Sequence, residues 1–330
     1  MKQESFEKQY GPLWARFQVW VDELAKHPVR RRRSDKLHDE IAESFPVMYR
    51  QICHHLALAR ARCYSLGLQQ RLNSLALDGH RHLYRSRTPY LTVVIDFLVR
   101  GFPGAFRQHW RFMAASGLFL FGTMLAMALA VQMQPELVYS MLEPSAVASM
   151  ESMYDPSNSV LGRERETTDD IVMFGFYIYN NVTIGFQTFA GGLAFGLGSI
   201  FYLVFNGLTI GAVASHLTAI GYTETFWTFV AGHSAFELTA IMVFGGAGLA
   251  IGFSAVAPGR KTRWQAIRDS AVAVMPLLYG GAIMLFVAAF IEAYWSSTTW
   301  PAAIVKYSVG IALWILHGLY FGLMGRREPR

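Results

Sequence analysis

The strongest constraint on this chain is a series of apolar runs, each long enough to cross a bilayer, that fills its second half. A hydrocarbon core of about 30 Å needs about 20 residues of apolar helix. Residues 112–133 form one such run. Residues 171–217 are too many for one crossing and suit two. Residues 225–257 are too many for one untilted helix, and 270–295 and 302–324 add two more runs. Lipid offers backbone groups no partner, so spanning segments are helices or closed barrels. The runs predict an all-α fold: a polytopic bundle of about six transmembrane helices, one broken or re-entrant, preceded by a helical domain.

Charge divides the chain in the same way. Residues 1–111 hold 19 Lys/Arg against 10 Asp/Glu, seven of the ten histidines and both cysteines; residues 112–330 hold 10 against 13. The expected domains are a basic cytoplasmic one over 1–100 and a transmembrane one over 101–330. An acidic loop at 134–170 should lie outside. Positive residues before the first run, at 258–268 and in the tail 326–330 place both termini in the cytoplasm. No apolar stretch opens the chain, so no signal peptide is expected.

In the basic half, Leu13, Trp14, Phe17, Trp20 and Leu24 recur at helical spacing. Four arginines at 30–33 suit a solvated turn or contact with lipid phosphates. A second helix is expected from Ser34-Asp35, kinked or divided at Pro46. A third runs through Leu66, Leu72, Leu75 and Leu83, and the set predicts a hairpin or small bundle. Thr88-Pro89 suits a helix start. Aromatic and basic residues at 100–112 suit an interfacial elbow before the first span better than nucleic acid. In the outer loop, Leu137, Met141, Val147 and Met150 suggest an amphipathic helix. Trp295 and Trp300 suit an interfacial aromatic belt.

Ionisable groups inside hydrocarbon cost several kcal/mol and mark functional candidates. Gly232-His233-Ser234-Ala235-Phe236-Glu237 is the foremost case here. Ser234-x-x-Glu237 also has the form of a capping box, with Ser234 as N-cap and Glu237 at the third helical position. On that reading Gly232 breaks the chain and a new helix begins at Ala235. On the other, His233 and Glu237 share a face and hold a proton, an ion or a polar group. Asn180, Asn181 and Asn206 are polar positions in neighbouring runs. They suit interhelical hydrogen bonds and, with His233 and Glu237, would make a polar cluster. Gly192/Gly196, Gly207/Gly211 and Gly248/Gly252 have the small-xxx-small spacing that permits close helix contact.

Several chemistries lack their residues. No phosphate-binding G-x-x-x-x-G-K-[ST] loop, G-x-S-x-G elbow or H-E-x-x-H pair is present. His233 with Glu237 is short of the three protein ligands a catalytic zinc takes. Glu292 suits an interface. No metal and no cofactor is expected, and Cys53 and Cys63 read as reduced thiols.

Tyr179-Asn180-Asn181, Asn206-Gly207 with Gly211, and Gly232-His233-x-x-x-Glu237-x-x-Ala240 with Gly245 resemble the stage II sporulation protein M family. Tyr49-Arg50, Ala59-Arg60, Leu72-Asn73, His80-x-x-x-Tyr84 and Phe102-Pro103-x-x-Phe106-Arg107 resemble its relatives outside spore formers. The resemblance implies a polytopic inner-membrane protein without established enzymatic activity. In spore formers the family scaffolds cell-wall-degrading enzymes. Relatives elsewhere are associated with MoxR-type AAA ATPases and von Willebrand factor A domain proteins. The basic N-terminal half departs from the sporulation member.

The leading expectation is an inner-membrane scaffold or channel-like component that recruits a soluble partner through its cytoplasmic domain. The alternative is a proton-coupled or small-solute transporter built on the His/Glu/Asn cluster. Membrane lipid, those two partner classes and further copies of the chain are the partners this allows; nucleic acid is not among them.

Overall fold

A computed structural model describes residues 1–26, 36–84, 90–158, 160–162 and 170–325. The arginines at 30–33, Ser34-Asp35, Thr88-Pro89, the acids and arginines at 163–169 and the basic tail lie outside the described residues. No strand occurs among the described residues. Two units are formed, Met1–Pro89 and Tyr90–Arg330.

The first unit has three helices, α1 (Gln3–Lys26), α2 (Lys36–Ala61) and α3 (Leu66–Tyr84). Helically spaced apolar residues from all three meet in one core, with Trp14, Phe17, Ile52, Leu72 and Leu75 at most 1% exposed. Phe17 stacks on Phe45 at 4.9 Å. Inside this core Trp14 Nε1 donates to His55 Nδ1 at 3.1 Å. Burial, and then the neighbouring His54, lower the pKa of His55. Pro46 does not divide α2, which runs unbroken through it. Burial of the surrounding Phe45, Met48 and Ile52 outweighs the one backbone bond a proline removes.

The second unit begins with α4 (Tyr90–Asp96), α5 (Phe102–Gln108), α6 (Trp110–Gly117) and α7 (Thr123–Met133), with π-helical turns at Phe97–Gly101 and Leu118–Gly122. Part of the expected interfacial elbow packs into the core, while Trp110 stays 58% exposed. Phe102 is 2% exposed and sits edge-on to Phe321 at 5.3 Å; Phe106 stacks on Phe321 at 4.1 Å. Arg107 donates to the carbonyls of Phe321 and Met324, closing the end of the last helix. Beyond α7 the expected amphipathic helix is two pieces, a 3-10 turn at Pro135–Ser140 and α8 (Pro144–Tyr154). Both bury a valine, Val138 and Val147, against Val131 and Ala212.

Then come α9 (Asp170–Ala190), α10 (Leu197–Ala219), the short α11 (Thr223–Ala231), α12 (Ser234–Val256), α13 (Arg263–Ile291), which ends in a π-helical turn at Glu292–Ser296, and α14 (Ala303–Leu323). Among the described residues five helical stretches are long and apolar enough to span: Trp110–Met133, Leu197–Ala219, Ser234–Val256, Arg263–Ser296 and Ala303–Leu323. The remaining candidate of the expected six is α9. It has 21 residues, but Asn180, Asn181, Gln187 and Thr188 hold it below the apolarity of the others. The chain is a multi-pass membrane protein.

Helix α12 is the centre of the bundle, its apolar window 72% buried against 17–44% for the other four. Small residues make that possible. A Cβ on Gly192 would overlap the carbonyl of Gly248, and one on Gly252 would overlap the backbone of Gly196. Gly207 and Gly211 admit the backbone of α7 and its preceding turn, at Leu120 and Met124. The turn between α9 and α10 is a 3-10 stretch at Gly191–Leu193 followed by Phe195 and Gly196, both with positive φ.

Candidate polar site in the membrane unit

The chain breaks where Gly232-His233 interrupts the apolar run, so α11 and α12 are separate helices. The capping box does not form. His233 is the N-cap of α12, Ser234 is its first residue, and no side-chain cap bond is made. Ser234 is buried at 8% exposure. Glu237 turns to the histidine instead, its Oε2 3.6 Å from His233 Nε2. A capping box is present elsewhere, at Thr262 and Gln265, where α13 starts in a polar loop. Gly232 faces the Trp295 ring so closely that a Cβ would come within 2.5 Å of it.

The other wall of the site comes from the far end of α13. Buried residues there recur in pairs, Met284-Leu285, Ala288-Ala289, Glu292-Ala293 and Ser296-Ser297. Such a spacing of four outruns the 3.6 residues of an α-turn. The π-helical turn at Glu292–Ser296 accommodates it; wide turns of this kind are rare and recur at functional positions. It keeps Glu292 and Ser296 both facing inward. His233 Nδ1 lies 3.0 Å from Ser296 Oγ. His233, Glu237 and Glu292 bring one ligand atom each within 4.8 Å of one another.

Lys306 completes the surroundings. Its side chain is 1% exposed, and its Nζ donates to the carbonyls of Ser296 at 2.9 Å and Thr298 at 2.5 Å. The ammonium also lies 5.8 Å from the Trp295 ring. A cation at the last carbonyls of a helix meets the negative end of its dipole, which explains how a lysine is held inside an apolar run. Trp295 therefore belongs to the core of the site, whereas Trp300 is exposed as a belt residue would be. Lys306 also lines a polar cavity of about 470 Å³, with Glu224, Thr225, Thr228, Thr298 and Thr299. At its rim, next to Pro156, hydrogen bonds from Ser157 hold the Asp155 carboxyl below the usual carboxylate range.

The asparagines do not join this cluster by hydrogen bonding among the described residues. Asn180 donates to Asn181 Oδ1 at 3.0 Å, and the buried Asn181 Nδ2 has no acceptor there. Asn206 donates to the Tyr202 carbonyl of its own helix at 2.7 Å. The spacing of residues in the sequence thus brings together His233 and Glu237; tertiary structure adds Glu292, Ser296 and Lys306. Lys306, an ionisable residue in an apolar run, carried a signal in the sequence. Ser296 carried none.

The sequence profile of the stage II sporulation protein M family matches residues 113–297. That is more than half of the chain. The chain belongs to this family. The matched region of this stage II sporulation protein M relative contains His233, Glu237, Glu292 and Ser296, while Lys306 lies beyond it. Residues 4–85 match a second profile, described as a domain of unknown function (DUF8413). No curated protein and no solved structure matches the chain.

Proposed function

We propose that this chain is a non-enzymatic, channel-like component of the inner membrane, and that its buried polar centre holds or passes a proton, an ion or a polar group of a partner. The observation that carries the reading is the convergence of His233, Glu237 and Glu292 at a helix break, inside the bundle and next to Lys306. Ionisable groups at such depth are costly and seldom merely structural. The break itself fits, because irregular backbone is tolerated in a membrane only where protein or a cavity surrounds it. In this reading both termini and the loop at 258–262 are cytoplasmic, and the polar cavity opens outward. The first unit recruits a soluble partner; a MoxR-type AAA ATPase or a von Willebrand factor A domain protein is the class the family resemblance suggests.

The test is complementation of a deletion strain by Glu237→Gln, beside a thermal-shift measurement in detergent. Gln keeps the shape and hydrogen-bonding capacity of Glu and removes the charge. Loss of complementation at near wild-type melting temperature is expected. Full complementation at unchanged stability would reject the polar centre as a working site and leave a scaffold.

A further inference from the structure

We infer that His233, Glu237 and Glu292 form a binding site for one divalent transition-metal ion. The inference rests on the reading of this cluster as a working site and says what it holds.

The donor set is the first argument. One imidazole and two carboxylates suit borderline ions such as Zn²⁺, Mn²⁺ or Fe²⁺ better than Mg²⁺ or Ca²⁺, which favour oxygen alone. Three protein ligands with room for a fourth is the pattern of an open site.

Orientation is the second. A ligating histidine normally donates its other ring N–H to a fixed acceptor, which sets the tautomer. Ser296 Oγ occupies that position at 3.0 Å from Nδ1. With the proton on Nδ1, the Nε2 lone pair is left on the side of Glu237, whose Oε2 is 3.6 Å away.

Spacing is the third. The 3.6 Å between His233 Nε2 and Glu237 Oε2 is too long for a hydrogen bond. Two ligand atoms each about 2.1 Å from one tetrahedral ion lie about 3.4 Å apart. The three ligand atoms all lie within 4.8 Å of one another.

Access is the fourth. The Glu237 side chain keeps 21% exposure, so the cluster is not sealed.

The test uses the full-length protein in detergent. It is loaded separately with Mn²⁺ and Zn²⁺, desalted, and its metal content measured by mass spectrometry. Wild type should retain about one equivalent of at least one ion. Glu292→Gln and Glu237→Gln should each lose retention at least tenfold, and Asn206→Ala, away from the cluster, should keep it. In Mn²⁺-loaded protein, electron-spin-echo spectra should show coupling to an imidazole nitrogen that His233→Gln removes. Melting curves identify any variant that fails to fold, and the two glutamine variants then carry the test. Wild type that retains neither ion, or retention unchanged in both glutamine variants, would overturn the inference. Lost complementation by Glu237→Gln in a protein that binds neither ion would overturn the metal and keep the working site. Metal bound beside full complementation would do the reverse.

Discussion

Gly192 and Gly248 meet backbone to backbone, with no room for a methyl group between them. Four residues on, Gly196 and Gly252 repeat the contact. Two small-xxx-small pairs thus interlock, and the turn between α9 and α10 is seated on the middle of α12.

This contact sets the first expectation. Gly192→Ala should destabilise the protein by about 1–3 kcal/mol, the usual range for overpacking, because backbone rather than a flexible side chain must give way. Gly318→Ala, where a Cβ meets nothing within 4 Å, should be neutral or slightly stabilising. Thermal-shift assays in one detergent compare them; equal melting temperatures would contradict the interlock.

The second concerns pH. His55 has a lowered pKa in the first unit, through burial first and His54 second. The unfolded chain, with histidine near 6.5, binds a proton that the folded unit disfavours. Below that value the unfolded state binds more protons, so stability is full above about 6.5 and declines as pH falls toward the folded value. A fragment of residues 1–89, followed by Trp fluorescence, should lose melting temperature between pH 7.5 and 5. His55→Gln should flatten that slope, since its amide oxygen can still accept from Trp14; an unchanged slope would assign the effect to other groups.

Topology gives the third. If the acidic loop is outside, Ser145→Cys should react with an impermeant thiol reagent on intact cells, and Arg263→Cys only after lysis. The background lacks Cys53 and Cys63, the free thiols of the first unit. The reverse pattern would invert the membrane orientation proposed above.

Much of the fold was legible because membrane spans advertise themselves. An apolar run of 20 or more residues has few alternatives, and the length of 171–217 alone called for the two helices α9 and α10. Legibility failed where two signals shared the same residues. Ser234-x-x-Glu237 fits a cap, but the helix begins one residue earlier than that pattern implies: His233 takes the N-cap position, no side-chain cap bond forms, and Glu237 lies 3.6 Å from the histidine. Glu292 stands at the end of a run, where an interfacial acid is common. The π-helical turn at Glu292–Ser296, which spacing in the sequence does not announce, keeps it facing inward. Of the two outcomes open at Pro46, division does not occur, since the core around Phe45 and Ile52 holds the helix through it. Asn206 reads as an interhelical group yet bonds to its own turn, a choice that sequence spacing does not encode.

The wide turn at Glu292–Ser296 makes the site depend on counting as well as on chemistry. One more residue is accommodated there than an α-turn holds. The same residues wound as ordinary α-helix would carry everything beyond the turn round by about 100°. Ser296 would leave His233, and its carbonyl would leave Lys306, with every one of those side chains still present. A relative one residue shorter here and wound as plain α-helix would keep the residues on either side in the phase seen in this chain. Family members can therefore be aligned at this site only by allowing a gap of one residue inside the turn.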